Sequence, residues 1–536
     1  MTNKVIDEVK KIRDSLKHAW VPFFTKFGRL TPVQIKTIPE VLNKKNVVVA
    51  SPTATGKTEA VIAPIAERFI TERWEELAVL YIVPTRALAN DTLARIEDPL
   101  SDMGIKTALK HGDKPNFSTQ NLPNFLITTP ESLDSLICRH PNIFFSLQVI
   151  ILDEIHLLDN TYRGDQLRVL LYRLQEITNN KNFSVHLLSA TLSNPSEIAQ
   201  RYVNDFKVIK VGGARNINHY ILKSLKEVYD LAIEKKWKKV LCFCNMRESV
   251  EEVAKELSDM WHPYPVVAHH GSLSRQNREE AEKIMKENNV AVCVATSTLE
   301  VGIDIGTIDL IVLAEPPWSI SSLLQRIGRG NRRGNSINVV MVVRSDEEKF
   351  LMEAMLEVAI SGELLIEYYK PDKSVAVQQI FSYLYQHPEG VTESSLLHML
   401  SALCSEFEIK SILAHLRIKG WITYQSLKWY PSEKLMDLGE KGHIHSNIPD
   451  ETIYRVVDIG SSKEIGTIAG VFDEVFVLAG RIWQVVSTKG SIIKVRRFNG
   501  KASSALFKRH RNVGAFYHLL PPEIRNSEEI EIYKNK

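Results

Sequence analysis

The stretch VVVASPTATGKTEAV, residues 47–61, closes a short turn with Gly56-Lys57-Thr58. A phosphate loop of the form G-x-x-x-x-G-K-[ST] would open on glycine where this chain has Ser51, and Ala54 stands where a further glycine is common. A lysine in that position can reach the β- and γ-phosphates of a nucleotide, and the Thr58 hydroxyl can ligate Mg2+. The unpaired, partly positive N–H groups of the turn and of the helix behind it can cradle phosphate oxygens, with Thr53, Thr55 and Gly56 lining the cradle. Further on, VIILDEIH (149–156) places Asp153 and Glu154 just past an apolar run. Two carboxylates there are costly unless they leave the apolar layer for a polar site. Asp153 suits a metal ligand, and Glu154 suits a group that orients or deprotonates an attacking water.

These groups need strands and helices to hold them. Runs such as NVVVA, AVLYIV, FLITT, VIILD and VHLLSA read as buried strands, and the amphipathic stretches between them read as helices. Continuous Val/Ile/Leu strands alternating with helices argue for a parallel α/β sheet covered on both faces. Such sheets bind ligands at the carboxyl ends of their strands. The rhythm pauses at 207–219 and resumes with KVLCFC, PVVAHH, VAVCVAT, DLIVLAE and NVVMVV. Three short helices and a hairpin then give the order of a winged helix. From about residue 452 short strands with Gly turns suggest a small β-barrel or half-barrel. The expected organisation is an N-terminal helical extension (1–28), tandem α/β domains at 29–207 and 208–365, a winged helix at 366–446 and a β-rich, barrel-like domain at 447–536. The fold class is α/β.

The chain of 536 residues is 44% hydrophobic and 24% charged, ordinary for a soluble globular protein. A net charge of +3 neither advertises nor excludes nucleic acid, because binding needs a local groove of charge. No apolar run approaches the roughly 18 residues of a membrane span, and the charged N-terminus lacks a signal-peptide core, so a cytoplasmic location is expected. Cys242 and Cys244 share one face of a strand, which points to packing, since no second pair completes a metal set.

With both acidic and phosphate-binding motifs in place, the chain resembles a superfamily 2 helicase of the DEAD/DEAH-box type. LTPVQ (30–34) resembles the Q motif, SPTATGKT motif I, VPTRALAND (83–91) motif Ia and TTPESL (128–133) motif Ib. DEIH is similar to motif II, SAT (189–191) to motif III, CFCNMRESVEE to motif IV, AHHGSLS (268–274) to the segment after it, ATSTLEVGIDIG (295–306) to motif V and QRIGRGNRRG (325–334) to motif VI. The match runs over roughly residues 28–343 and implies that the two parallel-sheet α/β domains are RecA-like. It implies ATP and Mg2+ as cofactors, with Gln34 reading adenine, Gly302 and Asp304 lining the nucleotide cleft, and Ser189 and Thr191 coupling ATP state to nucleic-acid grip. Gln325, Arg329 and Arg332 would complete the catalytic set, the two arginines acting as fingers. Arg326, Arg333 and their neighbours could simply be a solvated basic face. Thr85, Arg86, Thr129, His270, Gly271 and Thr298 would hold phosphates of one strand. Such contacts carry little base information.

The segments 269–283 and 296–334, followed by a winged helix and a β-rich domain, are similar to the large-helicase-related family. That resemblance implies 3′-to-5′ movement on single-stranded DNA with displacement of paired DNA or RNA. Trp421, Tyr424, Trp429 and Tyr430 include aromatics that could stack a base, Trp429 foremost. The basic run from Lys489 to Arg511, with Phe498 and Phe507 interleaved, could extend a strand-binding channel. Two other readings stay open: a local RNA-duplex unwinder, and an ATP-gated binding subunit that recruits a nuclease or other protein partner. No membrane partner is expected.

Overall fold

The computed structural model describes the chain apart from residues 1–2, 26–27, 52–54, 113–119, 180–181, 191–193, 212–215, 301–304, 331–335, 362–368, 449–452, 462, 470–474, 479–480, 490–491, 498–513 and 526–536. The chain divides into two compact units, and each is built from separated segments. One comprises 1–211, 366–450 and 511–536; the other comprises 212–365 and 451–510.

The first unit carries a parallel sheet whose strands are β1 (Asn46–Ala50), β2 (Val79–Ile82), β3 (Thr107–Lys110), β4 (Phe125–Thr128), β5 (Val149–Leu152), β6 (Ser184–Ser189) and β7 (Phe206–Lys210), in the order β3-β4-β2-β5-β6-β1-β7. β1, β2, β4, β5 and β6 are buried along nearly their whole length, as the unbroken Val/Ile/Leu runs require when helices cover both faces. The helices of this part are α1 (Asn3–Ser15), α2 (Trp20–Phe24), α3 (Pro32–Leu42), α4 (Lys57–Thr71), α5 (Arg86–Asp102), α6 (Pro130–Arg139), α7 (Tyr162–Ile177) and α8 (Pro195–Gln200). The N-terminal extension is anchored by one buried acid. Glu67 on α4 accepts from the backbone N–H groups of His18 and Ala19 at 2.8 and 2.9 Å, just before α2 begins.

The winged-helix segment folds into this same unit. Helices Ser374–Gln386, Glu393–Leu400 and Glu406–Ile418 precede the hairpin Ile422–Gln425/Lys428–Pro431, as the sequence pattern suggests. Its docking centres on the Asp134 carboxylate of α6, which is fully buried. That carboxylate accepts from Gln166, Gln378 and Gln379 at 3.0, 2.7 and 2.9 Å and from Arg173 at 3.2 Å, and it also bonds Ser382. Burying an isolated carboxylate is prohibitive, and this many donors make it affordable.

The second unit has its own parallel sheet: β8 (Asn216–Leu222), β9 (Lys239–Phe243), β10 (Val266–His269), β11 (Ala291–Ala295), β12 (Leu310–Leu313) and β13 (Ser336–Val342), in the order β10-β11-β9-β12-β13-β8. Cys242 and Cys244 are buried, as the packing reading requires. The β-rich segment joins this unit. Its five strands pair in an open order between residues 453 and 497, and Gly466 makes an isolated antiparallel bridge to Leu273. A Cβ at Gly466 would lie 2.3 Å from Ser272 O, so the approach of the two backbones demands glycine. Among the described residues no helix is long and apolar enough to cross a membrane.

Candidate nucleotide and nucleic-acid site

Because the strands of the first sheet are parallel, the residues that follow β4, β2, β5, β6 and β1 emerge along one edge. That edge collects most of the expected groups of the first unit.

After β1, the turn ends at Gly56, whose φ of +84° opens α4 and which has no room for a Cβ beside Gln34. Lys57 and Thr58 are the first two residues of α4, both buried. Lys57 Nζ donates to Ser51 O at 2.6 Å, and the Ser51 hydroxyl donates to Thr55 Oγ1 at 2.9 Å. Gln34 lies against this turn. Its Oε1 accepts from Thr31 N at 2.9 Å and its Nε2 donates to Gly56 O at 3.4 Å, while Thr31 Oγ1 donates to Thr55 O. The amide assigned to adenine thus also caps α3 and ties that cap to the phosphate turn.

Asp153 and Glu154 follow β5. Asp153 is buried, with Oδ2 accepting from the Tyr81 hydroxyl at 2.6 Å and Oδ1 from Glu154 N at 2.8 Å. Burial, with the Glu154 charge beside it, raises its pKa, against the pull of Tyr81, Lys57 and Arg95. Glu154 has φ +45°, a left-handed backbone that a non-glycine residue adopts at a cost of order 1–3 kcal/mol. Ala190 N donates to Glu154 Oε2 at 3.3 Å. His156 Nδ1 lies 2.7 Å from the Ser189 hydroxyl, so motifs II and III touch directly. Burial and the Lys57 charge depress the His156 pKa to about 3, which keeps its ring neutral at pH 7. Thr58 Oγ1 accepts from Arg95 Nη2 at 2.8 Å. Thr58 and Asp153 are oxygen donors at one strand edge, and that donor set fits a hard divalent cation such as Mg2+.

Along the same edge, Thr85 caps α5 by accepting from Leu88 N at 3.2 Å, and Thr129 is the N-cap of α6. Both helix N-termini therefore face the side on which phosphates of a strand would be met. Arg86 is exposed beside Gly112. Arg163 ties the two turns together, bonding Glu131 and Pro84 O.

In the second unit the expected residues divide. Thr298 is half-buried, with its hydroxyl 2.9 Å from His269 Nδ1, and Gly271 is exposed. His270 must be corrected: it is buried, with Nε2 2.7 Å from Glu251 Oε1, so its side chain is a packing element and does not face a strand. Arg326 is also corrected. It is 1% exposed and paired to Glu300 at 2.7 Å, not part of a solvated face. Arg329 is buried too, donating through Nε and Nη2 to Glu300 O at 3.1 and 2.6 Å. Gln325 is buried. Trp429 is a third correction. Its strand register turns it into the winged-helix core against Tyr424, with ring centroids 4.7 Å apart, and 6% exposure leaves no face for a base. Trp421 is covered by Phe381 and by Lys434. Thr53, Ala54, Thr191, Gly302, Asp304, Arg332 and most of the basic run to Arg511 lie outside the described residues.

Tyr81, Arg95, Arg163 and Glu300 were not legible as site residues. Only for Arg163 is there a local signal, its place in the first turn of α7 beyond the Thr161 cap.

The DEAD/DEAH box helicase family matches residues 31–198, and the helicase conserved C-terminal domain matches residues 222–334. The chain is 28% identical to the ATP-dependent helicase Lhr-Core of Saccharolobus solfataricus, over 89% of this chain and 62% of that protein. It is also 28% identical to the Lhr-Core of Methanocaldococcus jannaschii, over 91% and 64%. The chain thus spans just under two thirds of the curated relatives it matches. In fold it is similar to the Mycobacterium smegmatis helicase Lhr bound to single-stranded DNA and AMP-PNP (TM-score 0.68, 23% identity, 81% of this chain and 62% of that one). It is similar likewise to the DUF1998 helicase MrfA bound to DNA (TM-score 0.74, 20% identity, 91% and 73%).

Proposed function

The chain belongs to the DEAD/DEAH-box helicases of superfamily 2 and is similar to their Lhr-Core members; from that premise we propose that it is an ATP-driven translocase that moves 3′ to 5′ on single-stranded DNA and displaces the paired DNA or RNA strand. The observation that carries the reading is the shared strand edge. Lys57, Thr58, Asp153 and Glu154 emerge there beside the Thr85 and Thr129 helix caps, an arrangement that supports nucleotide phosphates and strand phosphates being met by one sheet.

Lys57 and the turn N–H groups bind the nucleotide phosphates, and Glu154 orients the attacking water. Thr58 and Asp153 would hold Mg2+, which neutralises phosphate charge when bound. The neutral His156 passes a change at Glu154 to Ser189 and on to the strand-gripping elements. The helicase resemblance, and not the placement of these residues, gives Arg329 and Arg332 a role on the transferring phosphoryl group, which Arg329 could take only by leaving Glu300 O. The polarity likewise follows from the large-helicase-related resemblance.

Strand displacement with ATP and Mg2+, on matched duplexes bearing a 3′ tail, a 5′ tail or none, tests the reading. Unwinding that needs the 3′ tail, and is lost in Lys57→Ala and Glu154→Gln, is expected. Equal unwinding of all three points to a local unwinder. Intact nucleic-acid-stimulated hydrolysis without displacement points to a gated binding subunit.

A further inference from the structure

Arg95 stands on α5 nine residues beyond Arg86, about 13 Å further along the axis at 1.5 Å per residue. It belongs to none of the motifs used above. Its Nη2 nevertheless donates at 2.8 Å to Thr58 Oγ1, the hydroxyl that the phosphate turn offers to Mg2+. Tyr81 donates to Asp153 Oδ2, on the other expected ligand. Both oxygens are therefore already held by donors from the chain.

The two donors differ in what a metal would do to them. Tyr81 is neutral, and the Asp153 carboxylate keeps lone pairs to spare, so that bond can persist. Arg95 is a cation in direct contact with a ligand of a second, divalent cation, and like charges at that range repel. Its own helix supplies another seat. Asp91 lies one turn back, with Oδ2 3.7 Å from Arg95 Nε, and the arginine side chain is 44% exposed, with room to turn. Glu59, Asp91 and Asp153 all act on the guanidinium.

We infer that Arg95 is an internal cation that competes with Mg2+ at Thr58 and passes to Asp91 when the Mg2+–nucleotide complex loads. The inference rests on the nucleotide-binding reading of this site. Arg95 is a positioning residue: it acts through Thr58 and sets how much Mg2+ tight nucleotide binding requires. Because Thr85 and Arg86 occupy the start of the same helix, the hand-over moves the Arg95 charge back towards them by about one turn while the net charge of α5 stays the same.

The test is binding of a fluorescent ADP analogue to the full chain while Mg2+ is titrated. Arg95→Ala is expected to lower the Mg2+ midpoint about three- to fivefold, the scale of a half-exposed ion pair. Asp91→Asn removes the second seat and is expected to raise the midpoint by about twofold or more. Melting in EDTA gives a readout independent of nucleotide. Arg95→Ala leaves Glu59, Asp91 and Asp153 without their shared cation, so its Tm falls and added Mg2+ restores it. If the wild type binds nucleotide in a Mg2+-dependent way but neither variant moves the midpoint, or Arg95→Ala raises it, the inference is overturned and the ATPase reading stands. If the wild type binds no nucleotide at all, both fall.

Discussion

Arg163 holds Glu131 at two points, Nε to Oε1 at 2.5 Å and Nη2 to Oε2 at 3.0 Å, while its Nη1 donates to Pro84 O at 2.5 Å. One guanidinium from the start of α7 thereby fixes the turn after β2 against the first turn of α6. These are the turns that present Thr85 and Thr129. Charge-assisted bonds of this kind contribute about 1.5–3 kcal/mol each when partly buried. Arg163→Ala is expected to weaken single-strand binding about tenfold or more by fluorescence anisotropy. Mg2+–nucleotide affinity should change less than about twofold, because Lys57, Thr58 and Asp153 do not touch it. Equal loss of both would mean that the substitution disorders the whole sheet edge.

The second unit concentrates charge on Glu300. Its carboxylate holds Arg326, and its carbonyl takes two bonds from Arg329. Removing one member of a buried pair strands the other, at a cost of about 3–5 kcal/mol. Glu300→Ala should accordingly destabilise this unit by about that amount in urea melts, and Glu300→Gln by less, since it keeps an acceptor for Arg326. A Glu300→Ala protein as stable as the parent would show that the Arg326 charge finds water.

The β-rich segment meets the turn after β10 where no side chain fits. Gly466→Val would drive a Cβ to within 2.3 Å of Ser272 O and to 3.0 Å of Leu273 Cα, so the bridge to Leu273 must open. Hydrogen exchange over 464–469 should accelerate while exchange over β9 and β12, deep in the sheet, stays slow. Unchanged protection at 464–469 would count against this contact.

The parts legible in the sequence are those whose chemistry is local. Gly56-Lys57-Thr58 sits on the strand-to-helix turn that its flanking periodicities imply, and Asp153-Glu154 sits at the end of a run that can only be a buried strand. The three-helix-and-hairpin order of the winged helix was legible for the same reason. What was not legible depends on partners far away in the chain. Tyr81 meets Asp153 across 72 residues, and Asp134 meets Gln379 across 245. Asp134 looks from sequence like a surface residue of α6, and nothing near it announces that a helix starting at residue 374 will bury it. His270 and Trp429 were misread because residue type says what a side chain can do and not which way its strand turns it. In the same way, no pattern within 366–450 or 451–510 shows which α/β sheet each will join.

The buried histidines of the first unit predict a stability curve with two limbs. Burial works against charge on His445, but Asp134, with Nδ1 3.8 Å from its Oδ1, and Cys138 outweigh it and lift the pKa to about 9. Tyr385 lies edge-on to this ring with centroids 6.3 Å apart, and Arg173 also bonds the Asp134 carboxylate. A histidine raised above its unfolded value of about 6.5 contributes stability that is complete below that pH and is lost as pH climbs through 9. His156 and His186 lie on the other side of the balance. Burial first, then the nearby Lys57 for His156 and Arg68 for His186, depresses both to about 3. Their neutral rings favour the fold above about pH 6.5, and that contribution falls away as pH drops towards 3. Tm measured in a buffer series from pH 5 to 9.5 should therefore peak near neutrality and decline on both sides. His445→Gln, which keeps polar atoms beside Asp134 but cannot titrate, should lower the plateau and flatten the alkaline limb while leaving the acid limb in place. An alkaline limb of unchanged slope in that variant would assign the loss to another group.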